Sequence, residues 1–270
     1  MGNFITSIKV NHIFHLENFC IPISENEKKH LIITGKNGSG KTILLNAIVE
    51  HLSKVCNDKM LSFLDFKKYL ESNQAWLQQA ETTGDSKSTA SGQNNVEYYK
   101  NRIEEFYGKV ELSFHDIYSI PKDFLSQDFI IAYYADERKS LFVEPKNPVK
   151  PDLKMKTDLK HNKVDQFLNF MVDCKVQEAL ARNEGKTEDA DYIRQWFVGF
   201  RNILRQIFDD TTLELDFNYK DYSFLIQTRG KSFKFTELSA GYSAALDIVA
   251  DLILKMQSQN NVVLSLIHIS

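Results

Sequence analysis

The sequence predicts an α/β chain with N-terminal antiparallel strands, a mixed sheet and a helical lobe. Three observations carry that prediction. Apolar and polar residues nearly alternate from 4 to 23, the mark of half-buried strands. An apolar run at 31–34 passes through a glycine-rich turn into a helical pattern. Two amphipathic helical patterns between 164 and 208 precede three short alternating runs between 213 and 235.

Composition narrows the class. At 43% hydrophobic and 26% charged, 270 residues suffice to bury a full core, as one large domain or two lobes. The three cysteines, Cys20, Cys56 and Cys174, stand far apart without metal spacing, which points to a reduced, cytoplasmic compartment. No signal peptide and no apolar run of membrane length is present, so no membrane partner is expected. A net charge of −3 excludes a globally basic nucleic-acid binder and leaves only a local patch for that role.

The first elements follow in order. Ile5, Ile8, Val10 and Ile13, then Phe19, Ile21 and Ile23, read as two strands joined near 16–18. Pro22 places the second at a sheet edge. A charged turn at 24–29 leads into the apolar strand 31–34. Then comes Gly35, Lys36, Asn37, Gly38, Ser39, Gly40, Lys41 and Thr42, which fits G-x-x-x-x-G-K-[ST]. Between a buried strand and a helix, that pattern holds nucleotide phosphates. Glycines let backbone N–H groups turn inward on an anion, and the helix N-terminus adds roughly +0.5 charge. Lys41 would reach the β- and γ-phosphates of ATP, and the Thr42 hydroxyl would ligate Mg²⁺. The plain alternative is a chance glycine turn. Leu44, Leu45, Ile48, Val49 and Leu52, on one helical face, argue against it. Phe14 and His15 are candidates to stack on the base, with ordinary packing as the other reading.

Beyond that helix, 58–81 reads as helical and 82–95, almost free of apolar residues, as a mobile loop. A short helix is expected at 96–107 and a strand at 109–115. The apolar run 129–134 has the pattern of a buried strand and ends in Asp136, Glu137, Arg138 and Lys139. Ligands of open α/β sheets sit beyond strand ends, so this charged end is a candidate second site; a solvated strand end is the equal alternative. From 138 to 163 eight Lys or Arg face three acids, broken by Pro145, Pro148 and Pro151. Such a loop could track a phosphate backbone, although most basic runs are merely solvated.

A helix is expected at 164–182, stopping at 183–185. Thr187 is expected to cap a second one. Its stripe of Ile193, Trp196, Phe197, Phe200, Leu204, Ile207 and Phe208 reads as core. Strands follow at 213–217, 222–227 and 232–235. Next, Leu238-Ser239-Ala240-Gly241-Tyr242 opens a helix with Ala245, Ile248, Val249, Leu252 and Met256 on its apolar face. Ser239 and Gly241 at a helix N-terminus make a second anion-binding geometry, with a serine N-cap as the ordinary explanation.

In this order the two motifs resemble those of ATP-binding-cassette heads, and within them the SMC, RecF and OLD-like group of P-loop NTPases, AAA family ATPases. GKNGSGKT at 35–42 resembles the phosphate loop of that group, and ELSAGY at 237–242 resembles its signature. The resemblance covers 1–263 as an incomplete head. It implies a first lobe at about 1–140, a helical lobe at about 155–208, and a small sheet with signature helix at 211–258. It also implies a homodimer formed on ATP, in which Ser239, Ala240 and Gly241 act in trans on ATP held by the other copy. Tyr242 stands where transporter cassettes carry Gln, no Gln stands plainly at the end of 129–134, and long coiled-coil arms are absent. These departures favour a compact RecF or OLD type. The expected function is ATP binding and, in the intact protein, hydrolysis coupled to handling DNA or a partner protein, in repair or phage defence. An effector domain or a neighbouring-gene product is the expected further partner. A non-hydrolysing ATP-binding switch stays open as an alternative. A transporter cassette is the weakest reading.

The acids that the family places after an apolar strand, one for Mg²⁺ and one for the attacking water, have no counterpart here. No catalytic residue is therefore assigned, and this chain is expected at most to bind nucleotide weakly, without turning it over. The strand-like 261–270 carries no acid at that place. Its last seven residues, LSLIHIS at 264–270, coincide with the translation of a transposase mosaic-end adapter. Native sequence is then expected to end near Val263, and His268 is no catalytic histidine. A natural, degenerate strand is the competing reading.

Overall fold

The computed structural model describes residues 2–126, 128–134, 142–151 and 163–257, with side chains left aside at 58–61. The charged strand end at 136–139, most of the basic run and the tail at 261–270 lie outside the described residues. Those described form a mixed α/β chain of seven helices and two three-stranded antiparallel sheets. The chain divides into two units, Met1–Phe129 and Ile130–Ser270.

In the first unit β1 (Ile5–Ile13), β2 (Leu16–Pro22) and β3 (Val110–Phe114) form a sheet of order β2-β1-β3. Pro22 does fall on an edge strand. Ile8 faces Ile21 and Leu112, and Val10 faces Phe19 and Val110, so alternate residues line one buried face. Helix α1 (Lys41–Val55) covers that sheet with Leu44, Ala47, Val49, Leu52 and Val55 buried. Leu45, expected on the same face, is exposed.

The run 31–34 is not a strand. It has no hydrogen-bonded partner strand among the described residues, and Ile32 is 84% exposed. A strand exists only through a neighbour that satisfies its N–H and C=O groups, and apolar content alone cannot supply one. The same correction applies to 129–134, which pairs with no described strand. The mixed sheet therefore does not form among the described residues.

The expected loop at 82–95 is helical instead. Helix α2 (Phe66–Thr83) follows a 3₁₀ segment (Asp58–Asp65), turns at Gly84, and returns as α3 (Ser86–Tyr107). Asp85 caps α3 by accepting from Lys87 N (3.1 Å) and Ser88 N (3.3 Å). A Cβ at Gly92 would lie 3.0 Å from Leu77 Cδ1 and 3.3 Å from its Cα, so the helices meet where only glycine fits. Close pairing with α2 stabilises a segment whose own sequence is polar all round.

Lys54 of α1 donates to the carbonyls of Glu105 (2.6 Å) and Phe106 (3.2 Å), tying α1 to the end of α3. Beside it His51 is buried between Phe106 and Tyr107, at 5.4 and 5.7 Å, and neither ring nitrogen has a hydrogen-bond partner. Burial, reinforced by the charge of Lys54, pushes the His51 pKa down from 6.5 to about 4. The sign of the pH dependence follows. Between these values the unfolded chain takes up a proton that the folded chain refuses, so stability present above 6.5 is lost as pH falls toward 4. The full loss is on the order of 3 kcal/mol. Urea melts at pH 7 and pH 4.5 should show His51→Leu losing less stability on acidification than the parent. Equal losses would contradict the assignment.

After α4 (Ile120–Ser126), the second unit opens with α5 (Phe167–Asn183) and α6 (Thr187–Phe208), folded back on each other. Thr187 begins α6 without a side-chain cap, and Glu188 and Asp189 in its first turn complement the helix dipole instead. Strands β4 (Glu214–Asn218), β5 (Ser223–Thr228) and β6 (Lys231–Lys234) form a meander, followed by α7 (Ala240–Gln257). Phe167, Leu168, Met171, Phe200, Leu204, Phe224, Ile226, Phe235 and Leu246 are buried together between these layers. The Tyr134 hydroxyl donates to Asp251 Oδ2 (2.9 Å), a buried carboxylate also paired with Lys255 (2.6 Å). That bond fastens the 130–134 segment to α7.

Candidate nucleotide site

The glycine loop keeps the form its sequence predicts, apart from the strand before it. Gly38 and Gly40 hold positive φ angles of 81° and 91°, which glycine adopts freely and other residues rarely do. At Gly35 a Cβ would stand 2.8 Å from Ser39 Oγ. Ser39 N donates to Lys36 O (3.2 Å), and α1 starts at Lys41, with Leu44 N donating to Gly40 O (2.9 Å). Its first turn has neither an acid nor a side-chain cap, so no side chain competes with an anion for the N–H groups of that helix start.

Lys41 closes the loop on itself. Its Nζ donates to the carbonyls of Gly35 (2.7 Å) and Lys36 (2.8 Å), which places the ammonium across the loop. Lys36, Asn37 and Gly38 are exposed, as is Thr42 at the second helical position. The expected phosphate-loop residues, 35–42, are thus brought together in one turn.

The loop also touches a residue far from it in sequence. A Cβ on Gly40 would lie 3.3 Å from Phe14 Cδ2 and 3.5 Å from Ile13 Cγ2. Phe14, at φ 53° in the β1–β2 turn, therefore packs on the loop while staying 59% exposed. Next to this contact is a cavity of about 320 Å³, lined by Val10, His15, Phe19, Thr34, Ser39 and Lys41 among others. Its walls are largely apolar and its charged end is Lys41, a combination suited to a ring attached to an anion. Sequence reasoning singled out Phe14 and His15 but not Val10 or Phe19, whose alternation marked them only as strand interior.

The second motif lies in the other unit. Ser239, Ala240, Gly241 and Tyr242 are exposed at the start of α7. Ser239 O accepts from Ser243 N (2.9 Å), while the Ser239 hydroxyl makes no hydrogen bond among the described residues. The ordinary serine-cap explanation is thus not what the geometry gives. The Tyr242 ring stacks on Phe208 at 4.3 Å and 12°, bracing the helix start against the end of α6. The chain matches no protein-family model, no curated protein and no solved structure.

Among the described residues no group of three or more His, Cys, Asp or Glu side chains could hold a metal ion. A Thr42–Mg²⁺ contact needs no such cluster, because phosphate and water oxygens complete the shell around this ion. No described helix is long and apolar enough to cross a membrane.

Proposed function

We propose that the chain is the nucleotide-gripping part of an ATP-dependent head of the cassette type. The observation that carries this reading is the closed glycine loop, with left-handed Gly38 and Gly40 and Lys41 folded across it. In this reading the N–H groups of 35–42 and Lys41 bind the phosphates, Thr42 contributes to Mg²⁺, and the neighbouring cavity takes the base. Bound Mg·ATP supplies the transferable phosphoryl group. The exposed Ser239-Ala240-Gly241 start of α7 completes the site from a second copy. The intact protein would then use ATP-driven dimerisation, and hydrolysis, to act on DNA or on a partner protein.

Fluorescent-ATP titration combined with light scattering tests the reading. Ser239→Arg is expected to bind Mg·ATP with parental affinity and to stay monomeric at ATP concentrations that dimerise the parent. An arginine there adds bulk and charge at an exposed position of the second unit, whereas the phosphate loop belongs to the first. A variant that dimerises on ATP as the parent does would remove Ser239 from the site.

A further inference from the structure

The α2–α3 hairpin of the first unit has two unlike faces. Along one run Tyr69, Asn73, Trp76, Ala80 and Thr83 of α2, at i, i+4, i+7, i+11 and i+14, which share one stripe of that helix. Ser88, Ser91, Asn95, Tyr98 and Arg102 form the corresponding stripe of α3. Ring contacts join the two stripes: Tyr69 lies 5.6 Å from Tyr99, and Tyr99 lies 5.2 Å from Tyr98. The one charge on them is Arg102, which pairs with Glu105 and sits 4.6 Å from the centre of the Phe63 ring. The opposite face is charged, with Lys67, Glu71 and Glu81 from α2 and Glu97, Lys100 and Glu104 from α3.

The uncharged face is left open. Tyr69, Trp76 and Tyr98 are exposed, and Trp76 keeps 40% of its surface in water. Two helices side by side have no second layer to cover such rings; among the described residues α2 buries Ala80 alone. Aromatic side chains where charges are sparse make up the core of a protein interface. Nucleic acid suits the face poorly, because stacking platforms lie in cationic grooves and the arginine here is already paired. Residue size then selects the occupant. The large rings Tyr69, Tyr98 and Tyr99 stand at the base of the hairpin, and the small Ala80, Thr83, Ser88 and Ser91 stand toward its turn at Gly84. Set end over end on a second copy, large residues meet small ones at both ends, and the two Trp76 side chains meet near the axis. The 18 residues of α2 span about 27 Å and two helices are about 20 Å wide, so the pair would cover roughly 1,100 Å² in all. A specific contact needs about 1,000 Å².

We propose that the Tyr69–Trp76–Tyr98 face of this hairpin pairs with the same face of a second copy, antiparallel about a two-fold axis, to form a four-helix bundle. The contact needs no nucleotide and uses none of Ser239, Ala240 or Gly241. For an interface of this size the dissociation constant is on the order of 10 µM. Below about 1 µM protein the hairpins are therefore mostly unpaired, and ATP-driven dimerisation can be read there separately.

Sedimentation velocity on the full chain without nucleotide, from about 0.5 to about 100 µM, tests the pairing. The parent should pass from monomer to dimer across that range. Trp76→Glu and Trp76→Lys should each weaken the dimer at least about tenfold, and an equimolar mixture of the two should recover much of the loss, which a folding defect would not. Ser91→Glu, at the turn end of the same face, should also weaken it at least about tenfold, whereas Gln93→Glu on the opposite face should leave it unchanged. All three positions are exposed, so every variant should keep the parental circular dichroism. Lys41→Ala should dimerise as the parent does, which separates this contact from the nucleotide reading. The proposal is overturned by a parent that stays monomeric at the highest concentration, by a Trp76→Glu variant that dimerises as the parent does, by a mixture that recovers nothing, or by equal losses in Ser91→Glu and Gln93→Glu. Binding of a fluorescent oligothymidylate that is lost in Trp76→Glu would also overturn it, because the face would then belong to nucleic acid.

Discussion

Replacing Lys41 by alanine is expected to weaken Mg·ATP binding at least about a hundredfold, since it removes charge-assisted bonds worth about 1.5–3 kcal/mol apiece. Among the described residues lining the cavity beside the loop Lys41 carries the cationic charge, and its ammonium already lies over the loop carbonyls of Gly35 and Lys36. A phosphate entering the turn would meet that ammonium and the uncapped N–H groups of the helix start. Titration calorimetry reads the affinity directly. Thermal melts give an independent readout: ligand at a hundred times its dissociation constant stabilises the parent by about 2.7 kcal/mol and should stabilise the variant by no more than about 0.4 kcal/mol. The fold should survive, because among the described residues the Lys41 side chain bonds only to the loop. Parental affinity in this variant would sink the nucleotide assignment.

Phe200→Ala is expected to cost about 3–5 kcal/mol in a urea melt, a large share of the 5–15 kcal/mol that typically holds a protein folded. Phe200 is 1% exposed, and its ring lies 5.5 Å from Trp196, 5.4 Å from Phe167 and 6.4 Å from Phe235. Those neighbours come from α6, α5 and the turn before α7, so the void would open where three elements meet. Rings fixed by several neighbours collapse poorly into a cavity, which places the cost toward the upper end. Phe200→Leu keeps most of the volume and should cost less than half as much. A loss below about 1 kcal/mol for the alanine variant would show that these contacts contribute little.

The elements legible in the sequence are those whose cause is local. The apolar stripe of α6 runs through Ile193, Trp196, Phe200 and Leu204, and all four are buried. The expected strand at 109–115 and the three strands after 213 appear within a residue or two of their places. The glycine loop is legible for the same reason, since its positive φ angles are a property of Gly38 and Gly40 themselves. Illegible features depend on distant partners. The polar stretch before Asn95 becomes helix because Asp85 caps it and Gly92 fits Leu77, a contact across fifteen residues that composition does not display. In 31–34, an apolar run reports a preference for burial and does not say which strand will hydrogen-bond to it. The walls of the candidate base cavity stayed hidden too, because Val10 and Phe19 join the loop only through the folding of the hairpin.

The contact between Phe14 and Gly40 has a bearing on how this chain can vary. Hairpin turns are ordinarily where insertions and deletions accumulate, because a longer loop there costs little. This turn is different, since its first residue is wedged against the start of the phosphate-loop helix. One extra residue would swing the ring off Gly40, and one fewer would drive it into the loop. Length here is therefore under the same restraint as the identity of the glycine it touches, and relatives of this chain should show a turn of constant length at 14–15.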